Sequence, residues 1–176
     1  AKKWLAFEGL DAQVQQANAE TLPFGDNNFD FVSSAGVLHH TVDTQKAIDE
    51  VYRVLKPGGE SFISLYHKNL LLRPPFFQMT LFLMRLVNMQ VVARENFTQS
   101  RDVKEFVRQY DGTENPIGSY YTRKESDALF RQFTILHTEL HYFSIRFIPF
   151  GKYIPRFIHK LLDNYFGTMI YYKLRK

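Results

Sequence analysis

The chain has 176 residues, 45 % of them hydrophobic, no cysteine and a formal net charge of +4. That length suits one domain with a sizeable core, and the composition excludes a disordered chain. The lack of cysteine excludes disulfides, thiolate metal sites and a cysteine nucleophile, and it fits the reducing interior of a cell, so a cytoplasmic location is expected.

Taken in order, Trp4, Leu5 and Phe7 fall on a helical pattern that Gly9 ends. Val14 to Ala17 read as a short strand leading to Asn18, and Leu22, Pro23 and Phe24 are expected to close over a crevice before a turn at Gly25 to Asn28. Phe29 to Ala35, apolar and small and ending at Gly36, suits a parallel strand buried on both faces that stops where a ligand approaches backbone. Asp43 can cap a helix in which Ile48, Val51, Tyr52 and Leu55 form one apolar stripe, stopped by Lys56, Pro57, Gly58 and Gly59. Phe62, Ile63 and Leu65 then resume an extended run ending at Tyr66. Strand, helix, strand is a parallel crossover, and its ligand crevice lies above the strand ends.

Beyond Tyr66, Pro74 and Pro75 break the chain, and residues 76 to 93 are apolar nearly all round. Arg85 and four further polar residues argue against a membrane span, so a cap helix over the crevice is expected. Ser100 can cap a second helix carrying Val103, Phe106, Val107 and Tyr110. Thr122 with Glu125 is a capping box that fixes a helix through Arg131, with Ala128 and Leu129 inward. Thr134 to Tyr142 read as a strand. Ile154, Phe157, Ile158, Leu161, Leu162 and Tyr165 then recur at helical spacing, with Lys152, Arg156, His159 and Lys160 on the other face. Lys173, Arg175 and Lys176 close the chain as a candidate surface anchor.

The charge is uneven: residues 1 to 60 carry −4 and residues 61 to 176 carry +8. A basic later part admits an anionic substrate, a peripheral membrane contact or nucleic acid, beside the ordinary reading of a solvated surface. No nucleic-acid signature is present, so no nucleic-acid partner is expected. Neither a G-x-S-x-G elbow nor a P-loop occurs, which removes those hydrolase and kinase chemistries.

The motifs QANAETLPF, FDFVSSAG, VLHHTVD and RVLKPGG, in that order, resemble class I S-adenosylmethionine-dependent methyltransferases, in particular the ubiquinone and menaquinone C-methyltransferase branch with its methyltransferase type 11 domain. YYTRKESDALFRQF and TMIYYKLRK are similar to that family's late helix and last strand, whereas residues 67 to 115 and 144 to 166 lie outside the resemblance. The implied fold is α/β, a Rossmann-like sheet, N-terminally truncated and carrying a helical insertion. Residues 1–66 would be a partial cofactor-binding core, 67–115 a helical lid and 116–176 the rest of the core with an extra helix near 152–166. The implied cofactor is S-adenosyl-L-methionine, and the implied partner is a small, apolar or aromatic acceptor.

On the same resemblance Asn18 and the Ala19 backbone would face the adenine, and Ala35, with Ser34 beside it, would lie by the methionine part. Asn18 could equally be a turn residue, and Glu20 either orients this loop or caps locally. His39 and His40 follow the strand end, so one of them is expected to reach the crevice as a hydrogen-bonding or proton-transfer residue, and His40 is the candidate catalytic group. His39 and His40 are not read as metal ligands, because adjacent side chains project differently and no third ligand stands at a suitable spacing. A truncated, non-catalytic relative that binds a partner or membrane is the alternative.

The family's glycine-rich turn and ribose-binding acid do not precede residue 16, and roughly the first third of a typical domain of this size is expected to be missing. The 176 residues alone are therefore expected to bind S-adenosylmethionine weakly or not at all, while a chain extended through a glycine turn binds it. Isothermal calorimetry on both decides; tight binding by the short chain contradicts the expectation.

Overall fold

The computed structural model describes residues 2–86, 102–109, 116–143 and 153–176. In chain order these form α1 (Lys2–Phe7), β1 (Phe29–Ala35), a 3-10 turn (Leu38–His40), α2 (Thr44–Val54) and β2 (Leu55–His67). A second 3-10 turn (Leu70–Leu72), α3 (Phe76–Leu86), α4 (Val103–Arg108), β3 (Tyr120–Tyr121), α5 (Arg123–Leu129), β4 (Thr134–His141), α6 (Arg156–Phe166) and β5 (Met169–Arg175) follow.

The expected crossover is present. β1 and β2 pair in parallel from Phe31 opposite Glu60 to Ala35 opposite Ser64, with α2 between them. Asp43 caps α2 by accepting from the Lys46 N–H, and Ala47, Ile48, Val51 and Val54 are buried along one stripe. The helix stops one residue earlier than its apolar spacing suggests, because Leu55 already begins β2. Gly59 is required where β2 passes β1: a Cβ there would stand 2.9 Å from the Lys56 carbonyl oxygen and 3.1 Å from that of Asp30.

The sheet runs β1, β2, β5, β4, with β5 antiparallel to both neighbours. Ile63, Leu65, Ile170, Tyr172 and Leu174 meet Ile48, Val51, Phe130 and Phe133 on one face. Each fully buried large side chain contributes about 1.5–3 kcal/mol. The Tyr172 hydroxyl, inside this cluster, donates to Asp127 at 2.7 Å, and burial pushes its pKa up.

Several expectations change. Val14 to Ala17 form no strand, since no described strand lies beside them to complete a ladder; the single bridge there joins Asn18 to Thr21. β1 is covered on one face only, where α2 and α5 pack, and Phe31 on the other face is 55 % exposed. The Thr122–Glu125 capping box forms as expected, but Ser126 and Phe130 point inward while Ala128 is exposed. α4 is capped by Asp102 instead of Ser100, which lies outside the described residues, as do Tyr110 and Lys152. α3 buries Phe77 and Leu81 and leaves Met79, Phe82 and Leu83 exposed.

The closing cations are engaged with partners in the same domain, although Lys173 and Arg175 remain exposed. Arg175 and Lys173 both pair with Glu60 and hold its carboxyl below the usual range, Arg175 contributing most. Lys176 Nζ donates to the carbonyl oxygens of Tyr52 and Leu55, at 2.8 and 2.7 Å, and to Asn27, capping the carboxyl end of α2. Lys176→Ala is expected to lower unfolding free energy by about 1–2 kcal/mol in urea, and Lys173→Ala by clearly less. Equal losses would show that the cap does not hold α2.

Candidate functional site at the carboxyl ends of the strands

Parallel β1 and β2 end on the same side, and the chain leaves β1 through Gly36, whose N–H donates to Ser64 Oγ at 2.9 Å. Gly36 has φ of +72°, a left-handed turn that a β-carbon would strain. It sends the chain into the Leu38–His40 turn, where the Leu38 carbonyl oxygen accepts from the Thr41 and Thr44 hydroxyls at 2.7 and 3.2 Å.

This turn sets two imidazoles against the end of β2. His39 is fully buried, its ring 3.9 Å from that of Tyr66, and the His40 ring stands 4.2 Å from His39 and edge-on to Tyr66 at 5.5 Å. His40 Nδ1 lies 2.7 Å from the Ile117 carbonyl oxygen. A carbonyl only accepts, so Nδ1 carries the proton and the neutral ring keeps its lone pair on Nε2. The Ser119 N–H donates to the His39 carbonyl at 2.9 Å, and Tyr120 pairs with Tyr66. Because β5 occupies the other side of β2, β3 stands in line beyond the end of β1.

The Asn18–Thr21 turn reaches the same side. Glu20 Oε1 accepts from the Asp43 N–H at 3.0 Å, tying this turn to the amino end of α2, and Ala19 packs against the core cluster that includes Leu38. Asn18 Oδ1 accepts from the Glu20 N–H at 2.9 Å, as a turn residue does. Its amide NH₂ and second lone pair still have capacity for a ligand, and the Ala19 N–H makes no hydrogen bond among the described residues.

Farther along, Glu50 accepts from the Leu22 N–H at 2.7 Å, and Arg53 donates to the carbonyls of Phe24 and Leu22. The Arg53 hydrogen bond holds the Glu50 carboxyl below its usual range. Phe24 packs edge-on against Phe29 at 4.9 Å, at the start of β1. Leu22 to Phe24 thus run along α2 away from the strand ends and do not close the crevice.

The geometry therefore joins Asn18, Ala19, Glu20 and His40 around the amino end of α2. Ser34 and Ala35 are at the same strand end but on opposite faces: Ser34 is buried toward α2, and Ala35 is exposed on the open face. The Ser34 hydroxyl is buried without a hydrogen-bond partner among the described residues. Tyr66 and Ile117 border this candidate site without having been singled out by sequence spacing, although Tyr66 ends the apolar run of β2, whereas His39 was one of the two histidines expected at the strand end. His67 is buried, its Nδ1 3.2 Å from the Tyr121 carbonyl oxygen, and burial lowers its pKa, which keeps the ring neutral. Among the described residues no group of three or more His, Asp or Glu side chains is placed to hold a metal ion.

The insertion covers the neighbouring part of this end. Leu72, Phe77, Leu81, Phe106 and Val107 form a second buried cluster with Tyr66, flanked by Tyr120 and Met169.

Residues 1–63, which contain Asn18, Ala19, Glu20, Ser34, Ala35 and His40, match the methyltransferase domain family. That match takes in about a third of the chain. The chain is 45 % identical over 58 residues to the ubiquinone/menaquinone biosynthesis C-methyltransferase UbiE of Klebsiella pneumoniae, a match that takes in 33 % of this chain and 23 % of that relative. The matched part is thus about a quarter of the curated relative's length. In fold, 99 % of the chain superposes on 68 % of a Thermotoga maritima S-adenosylmethionine-dependent methyltransferase described as a possible histamine N-methyltransferase, with a TM-score of 0.54 and 17 % identity. A Methanosarcina mazei S-adenosylmethionine-dependent methyltransferase matches over 91 % of this chain and 65 % of its own, with a TM-score of 0.51 and 21 % identity. The cofactor of the family is S-adenosylmethionine, and the open donor at Ala19, the amide of Asn18 and the buried hydroxyl of Ser34 are chemically suited to it.

Proposed function

We propose that this chain serves methyl transfer from S-adenosylmethionine to a small, apolar or aromatic acceptor. The observation that carries this reading is the meeting of the Asn18–Thr21 turn and His40 at one strand end, within the segment that matches the methyltransferase domain. Asn18 and the Ala19 N–H would receive the adenine, Glu20 would hold their loop against Asp43, and the Ser34–Ala35 end of β1 would border the methionine part. The bound cofactor supplies a methyl group already activated on a sulfonium.

The chain's own task is then to hold the acceptor in line, exclude water and accept a proton where the acceptor must lose one. His40 suits the last role. Its Nδ1–H is fixed on the Ile117 carbonyl, which orients the ring at the strand end. Tyr66 with α3 and α4, which lie beyond the matched residues 1–63, would supply the apolar wall that selects the acceptor. The match of residues 1–63 to the methyltransferase domain is why the enzymatic reading is preferred.

Titrating the ¹⁵N-labelled chain with S-adenosylhomocysteine reads binding even when it is weak. Amide shifts are expected to concentrate on Asn18–Glu20 and Ser34–His40. Shifts centred elsewhere would overturn the assignment.

A further inference from the structure

We propose that the edge of the molecule built from the Leu70–Leu72 turn, α3 and α6 docks onto the surface of a lipid bilayer that contains anionic lipid. The two helices are fastened to the same turn. Asn69 lies just ahead of it, buried, and its Nδ2 donates to the Phe166 carbonyl at the end of α6 at 3.0 Å, while its Oδ1 accepts from the Leu71 N–H. On the other side Leu72 packs with Phe77 and Leu81 of α3.

Both helices then turn bulky apolar side chains outward. On α6, Phe157, Leu161 and Tyr165 follow one another at four-residue spacing and are 75 %, 54 % and 57 % exposed. On α3, Met79, Phe82 and Leu83 are 51 %, 63 % and 50 % exposed, and Phe76 and Tyr153 extend the surface. Such stripes are costly in water and suit the boundary between headgroups and acyl chains, where an amphipathic helix lies flat. No helix among the described residues is long and apolar enough to cross a membrane, so docking is peripheral.

The charge of this edge selects the lipid. Residues 67–83 include Lys68 and Arg73 and no acidic residue. On α6, Arg156 and Lys160 are exposed beside the apolar stripe. The helix's one acid, Asp163, is turned inward, where it accepts from the Phe143 N–H at 2.8 Å and its side chain is 18 % exposed. A surface that combines large apolar groups with exposed cations complements anionic headgroups. The basic residues that close the chain take no part, being engaged with Glu60 and the end of α2.

Co-sedimentation of the full chain with phosphatidylcholine vesicles, with and without phosphatidylglycerol, tests this. Binding to the anionic vesicles is expected, falling by at least about tenfold in Arg156→Glu/Lys160→Glu and likewise in Phe82→Ser/Phe157→Ser. Both pairs are surface changes, and far-ultraviolet circular dichroism checks that the fold persists; should the serine pair unfold, the charge pair alone decides. Equal sedimentation with both vesicle types, or binding that neither pair weakens, overturns the proposal. Self-association abolished by the serine pair, with no vesicle binding, also overturns it and assigns the face to a second copy of the chain.

Discussion

The hydrogen bond from His40 Nδ1 to the Ile117 carbonyl links residues 77 positions apart, and the functional end of the domain depends on it. Beside it the Ser119 N–H holds the His39 carbonyl. Together these bonds fasten the segment returning from the insertion to the turn leaving β1, so that β3 can continue beside β2 and Tyr120 can reach the insertion cluster. Without them, His40 would sit on a short turn with no fixed tautomer, and the segment that returns to β3 would lose this tie to the end of β1.

This arrangement rests on the crossover, which is locally encoded. The α2 stripe can be read from residues 48 to 55, its cap from Asp43 and the α5 start from Thr122 and Glu125, because each depends on neighbours within one or two turns. What required the tertiary structure depends on distant partners. Val14 to Ala17 have strand composition but no described partner strand. β1 has the composition of a strand buried on both faces but packs helices on one. The closing cations look like a surface anchor until β5 brings them against Glu60 and the end of α2.

The candidate site was legible only as a set of residues expected near one another. Asn18, Ala19, Glu20 and His40 lie in motifs that name a family, and their meeting at α2 accords with that order. Glu20 has a definite structural role in the turn, which composition left open between two readings. The aromatic wall was not legible, because Tyr66 and His39 acquire their meaning only from a ring contact of 3.9 Å across the sheet end. The split of Ser34 from Ala35 follows from the two-residue period of a strand and narrows which atoms can border one ligand.

The most direct measurement is the tautomer of His40, read from long-range ¹H–¹⁵N correlations of the imidazole at a pH where the ring is neutral. The account requires the proton on Nδ1 and the lone pair on Nε2. A ring found with its proton on Nε2 would contradict the Ile117 contact, and with it the proposed proton-accepting role and the fastening of the insertion to the strand ends.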